Sequence, residues 1–129
     1  MTIANGRIDD FVNGDDLEIE RTITAIPSGV LIESAWFMVK HDYNDLDSQA
    51  IISKLATSIN TIGQGWIIDL SASDGTATVR FYLTPADTQL LYPYSEYPYS
   101  IKIKLDNGKI NTPEIGIIVA YPWIKQGVV

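Results

Sequence analysis

Hydrophobic residues recur along this chain mostly at every second position, the period of a strand half-buried against a core. In "DLEIERTIT", Leu17, Ile19, Arg21 and Ile23 share one face, and Glu18, Glu20, Thr22 and Thr24 share the other. That predicts a strand with its acidic side in water. "TATVRFYL" repeats the rule, with Ala77, Val79, Phe81 and Leu83 set against Thr78, Arg80 and Tyr82. "VLIESAWFMVK", residues 30–40, is apolar at both parities and predicts a central strand covered on both sides. In "YPYSIKIKL", Tyr97, Tyr99, Ile101, Ile103 and Leu105 form a core face opposite Ser100, Lys102 and Lys104. Asp106-Asn107-Gly108 then offers the positive φ angles of a tight hairpin turn. The return strand starts near Lys109 and resumes as "IGIIVAY" after Pro113. Because proline cannot donate to a ladder, Pro113 predicts an edge strand or a bulge.

Two segments read differently. Between Asp47 and Ile59, a short helix capped by Asp47 or Ser48 competes with a strand, and the β-rich surroundings favour the strand. "TPADTQLL" predicts one helical turn, with Thr84 as N-cap, Pro85 at the first helical position and Asp87 three residues after the cap. Seven or eight short strands separated by turn signals predict an all-β sandwich. No linker or long repeat interrupts residues 1–129, which read as one domain with short N- and C-terminal arms.

Composition narrows the function classes. The 129 residues are 46% hydrophobic, enough for one core. A net charge of -7 repels phosphate and argues against a nucleic-acid partner. Without cysteine there are no disulfides, thiol catalysis or Cys-based metal centres. The opening "MTIANGRIDDF" lacks the apolar core of a signal peptide, and the longest apolar run, Ile115 to Ile124, is too short for a bilayer. A soluble chain without membrane partners is expected.

The search for chemistry returns little. His41 is the single histidine, at the end of a predicted strand, and no G-x-S-x-G stretch accompanies it. "HDYNDLDS" gathers Asp42, Asn44, Asp45 and Asp47. Leu46 falls at the third ligand position of a calcium loop starting at Asp42, and Ala50 replaces the required glycine in one starting at Asp45. A plain Asp- and Asn-rich connection is expected. "GQGW", residues 63–66, lacks a third glycine and runs into Ile67 and Ile68 as strand, so it predicts a turn. No catalytic residue, cofactor or metal site is expected. Trp36 and Trp66 lie in apolar strand contexts and are expected in the core. Three aromatics remain as candidate partner contacts: Tyr92 and Tyr94 ahead of a regular strand, and Trp123 near the C-terminus.

Taken together, "AWFMVK", "DLDSQAIISK", "DGTATVRFYLTPADTQLL" and "YPYSIKIKLDNGKINTPEIG" resemble the immunoglobulin-like β-sandwich domain of tailed-phage structural proteins, including the N-terminal domain of phage baseplate upper proteins. The resemblance spans about Ile32 to Tyr121 and rests on the order and spacing of short motifs. It implies an immunoglobulin-like antiparallel sandwich and a non-enzymatic virion component, assembled in the host cytoplasm, with no catalytic residues to carry over. Baseplate upper proteins continue into further modules, whereas this sequence ends at Val129. A capsid decoration or cement protein is therefore expected first, and a baseplate, neck or tail adaptor second. Expected partners are the major capsid protein or tail and baseplate proteins, with self-association into a homo-oligomer. From the residues alone, the alternative of another class is a carbohydrate-binding module stacking sugars on Tyr92, Tyr94 and Trp123.

Overall fold

The computed structural model describes residues 4–69 and 75–122. Among these residues, eight strands make two sheets. The larger sheet runs in spatial order β1 (Ala4–Ile8), β8 (Ile110–Ile118), β7 (Tyr97–Leu105), β3 (Ile32–Val39) and β4 (Ile52–Ala56). The smaller one runs β2 (Leu17–Ile23), β6 (Ala77–Leu83) and β5 (Gly65–Asp69). The expected all-β sandwich is what forms. Its strand order follows the immunoglobulin scheme, with β2-β6-β5 in the places of B-E-D and β8-β7-β3-β4 in those of G-F-C-C′.

Alternation builds the core. Ile19, Ile23, Val79, Phe81 and Leu83 from the small sheet meet Phe37, Val39, Tyr99, Ile101 and Ile103 from the large one, all 3% exposed or less. Phe37 lies at the centre, its ring 5.7 Å from Phe81 and 5.4 Å from Tyr99.

Several expectations need correction. The sandwich is not wholly antiparallel: β1 runs parallel to β8, in register from Ala4↔Glu114 to Ile8↔Ile118. "ANGRI" gave no alternation to announce it, because only Ile8 is buried there. β8 lies between β1 and β7, so it is not an edge strand. The other reading of Pro113 holds: it marks a bulge, where Asn111 to Glu114 spans the stretch opposite Ile103 to Ile101. β3 is central but not covered on both sides, because only its alternate residues are buried. Trp36 is not core. It points outward and is half-buried, opposite Lys102 on β7 and Leu55 on β4. Trp66 is likewise half-buried on the outer face of the small sheet, opposite Arg80. Between Asp47 and Ile59 the favoured strand forms as β4; the only helical piece there is a single 3₁₀ turn over Asp47–Gln49, with Leu46 rather than Asp47 or Ser48 at its N-cap.

The helical turn α1 (Pro85–Thr88) forms as expected, with a reciprocal capping box between Thr84 and Asp87. It is also fastened from across the sandwich. Lys54 on β4, only 6% exposed, reaches the Asp87 carboxylate at 2.7 Å and donates to the Gly63 carbonyl at 2.7 Å. Burial would raise the Asp87 pKa, but Lys54 and the Thr84 donors outweigh it and hold the carboxyl below its ordinary value. A depressed folded pKa contributes stability that is present above the unfolded carboxyl value and lost as pH falls through the folded one. Asp87→Asn is therefore expected to cost about 1–3 kcal/mol at neutral pH. Its penalty should shrink below about pH 4 in urea melts taken across pH.

Candidate partner-binding site

β7 begins with Tyr97, whose side chain is buried. Its hydroxyl accepts the Tyr92 backbone N–H at 3.0 Å. A tyrosine at the start of this strand bonding back to the upstream backbone is the tyrosine corner of immunoglobulin-type sandwiches. Here it fixes the connection that carries the other tyrosines. The Tyr94 N–H donates to the Ala120 carbonyl at 2.9 Å, and the Ser95 N–H to the Tyr92 carbonyl at 3.1 Å. On the upstream side, the Asn13 amide donates to the carbonyls of Leu91 (2.8 Å) and Thr88 (3.2 Å). The hydroxyl of buried Thr88 donates to the Asp15 carbonyl at 2.8 Å.

On this braced loop Tyr92 is 76% exposed and Tyr94 67%. Tyr94 has φ +65°, a left-handed conformation uncommon outside glycine and costly for a bulky residue. Tyr121, 45% exposed, joins them, its ring edge-on to Tyr94 with centroids 6.0 Å apart. Tyr121 is in turn anchored by its N–H to the Phe11 carbonyl and by its carbonyl to the Asn13 N–H. Three tyrosines thus stand out from a backbone tied down on both sides, so partner binding would order little that is not already ordered. Of the expected contacts, Tyr92 and Tyr94 share this corner. Trp123 lies outside the described residues. Tyr121 was missed because it follows an apolar run that reads as strand, and only the β8 exit brings it beside Tyr94.

The other candidates resolve plainly. His41 is exposed just past β3, with its ring 5.8 Å from Tyr97. It borders a shallow dent with Asp42, Tyr43, Glu96 and Pro98, and no serine or threonine lines that dent. The acidic connection is closed on itself: Asp42 accepts the Asn44 N–H, Asp45 accepts the Asp42 N–H, and Lys40 binds Asp47 at 2.8 Å. Among the described residues, no three His, Cys, Asp or Glu side chains converge as a metal site. No described helix is long and apolar enough to cross a membrane. No family model matches the chain, and no curated protein matches it.

Proposed function

We propose that this protein is a non-enzymatic structural component of a tailed-phage virion, first a capsid decoration or cement protein and second a baseplate, neck or tail adaptor. The supporting observation is the braced tyrosine corner, where Tyr92, Tyr94 and Tyr121 project from a rigid end of the sandwich. Tyrosine supplies large contact area at low entropic cost and is enriched where proteins meet. The motif order between Ile32 and Tyr121 supplies the phage context. In this role the corner seats on the major capsid protein or a tail protein, and repetition over the particle multiplies weak contacts.

Purified protein added to particles lacking it should pellet with them. Tyr94→Ala should weaken that binding by about tenfold or more, as for an aromatic anchor, while leaving the melting temperature within a few degrees of wild type. Failure to copurify with assembled particles would reject the reading. The exposed pair Tyr92 and Tyr94 also suits stacking on sugar rings, so a glycan array that lights up and goes dark with Tyr94→Ala would favour the carbohydrate-binding alternative.

A further inference from the structure

The two outer faces of the sandwich differ in chemistry. Outward positions on the large sheet combine half-buried apolar residues with cations. Trp36 stands opposite Lys102 and Leu55, and Met38 lies in line with Ser100 and Ile115. A dent of about 170 Å³ opens among Met38, Tyr43, Lys102 and Ile115. Lys40 also lines it, and Lys104 stands two residues beyond Lys102 on the same face of β7. Lys40 is tied to Asp47, Lys104 stands 3.9 Å from Glu33, and Lys102 makes no ion pair among the described residues, although its charge also reaches Asp47. In a chain of net charge -7, cations gathered beside exposed apolar surface stand out.

The small sheet's outer face has the opposite character. Glu18 and Glu20 project from β2 beside Tyr82 and Arg80, with exposed Asp15 and Asp16 just ahead. Arg80 neutralises Glu20 at 2.6 Å, whereas Asp16 and Glu18 have no ion pair among the described residues. These two carboxylates rim a cleft of about 480 Å³ whose other walls include Leu17, Tyr82 and Ile62. Ile62 is 95% exposed. An apolar cleft rimmed by unpaired carboxylates suits a lysine, whose stem packs on apolar surface while its head reaches the acids.

We propose that a second copy of this chain fills the cleft: the Lys102/Lys104 face of one molecule seats on the Asp16/Glu18 cleft of the next. The decisive juxtaposition is charge complementarity between opposite faces of one molecule. Such a contact is head-to-tail, so it repeats into a ring if the rotation closes and into a filament otherwise. It does not depend on where the protein is used.

Sedimentation velocity over a concentration series tests it. Wild type should self-associate, and raising the salt should weaken the association. Two charge-reversed variants, Lys102→Glu/Lys104→Glu and Asp16→Lys/Glu18→Lys, should each lose affinity by more than tenfold, because like charges then face each other. Mixed in equal amounts, the two should associate again, since each supplies what the other now needs. All changes are at outward positions, and circular dichroism would verify that each variant folds. If either does not, the salt dependence of wild type decides instead. A monomer at every concentration would overturn the proposal, as would salt-insensitive association, a reversed variant that still self-associates, or a mixture that stays apart.

Discussion

Phe37→Ala is expected to remove about 3–5 kcal/mol of folding stability, the usual cost of emptying a large aromatic site in a core. Domains of this kind have only about 5–15 kcal/mol in total. The side chain is fully buried on the central strand β3 and packs between the rings of Phe81 and Tyr99 from opposite sheets. Deleting it opens a cavity where the sheets meet, and two facing β-ladders leave little room for collapse. Urea unfolding should show the midpoint falling sharply with little change in slope. Trp36→Ala, one residue earlier, provides the control. Trp36 is larger but points outward and is half-buried, so its loss should cost no more than about half as much. Equal losses at the two positions would contradict the side-chain alternation on which the fold rests.

The second large effect is expected at Glu114. Its carboxylate accepts Arg21 Nε at 3.0 and 3.2 Å and also receives the Tyr99 hydroxyl. The three residues come from β8, β2 and β7, so this polar cluster joins the two sheets. Glu114→Ala strands a guanidinium and a phenol together. Breaking a buried pair costs about 3–5 kcal/mol, and solvent access to Arg21, whose side chain is 33% exposed, brings the expected loss to about 2–3 kcal/mol. Arg21→Met/Glu114→Leu should recover much of it, since apolar replacement of both partners removes the stranded charge.

The cluster also predicts an alkaline response. Burial, reinforced by the neighbouring carboxylate, raises the Tyr99 pKa well above the ordinary tyrosine value. A raised folded pKa gives stability that is complete below the unfolded value and disappears as pH climbs through the folded one. Ultraviolet phenolate titration should therefore show one tyrosine ionising late, together with unfolding. In Glu114→Ala that step should move to lower pH.

How much was legible follows from where each signal resides. β2, β6 and β7 announce themselves because one parity is apolar and the other polar. Thr84, Pro85 and Asp87 encode their turn locally. β3 misled because Trp36 and Met38 make its outer parity as apolar as its inner one, so an open face read as a covered one. Arg21 sat at an inward position with no visible reason, since its partner lies on β8. β1 was invisible because its pairing relies on backbone approach. Gly6 and Gly116 face each other in register, and a Cβ on Gly116 would come within 2.1 Å of the Gly6 carbonyl oxygen. At the candidate site, Tyr92 and Tyr94 stood out by exposure-prone context, whereas Tyr121 required the long-range pairing that returns the chain to the same end.

That parallel pairing of the first described strand with the last sets a timetable for folding. β8 must slot between β1 and β7, so the large sheet cannot close until the chain has been made through Ile118. Contacts of such long sequence separation are slow to form, on the order of milliseconds to seconds. A nascent chain stalled before Ile110 would hold β1 without its partner β8 and β7 with one flank bare, a species prone to pair with the wrong strand.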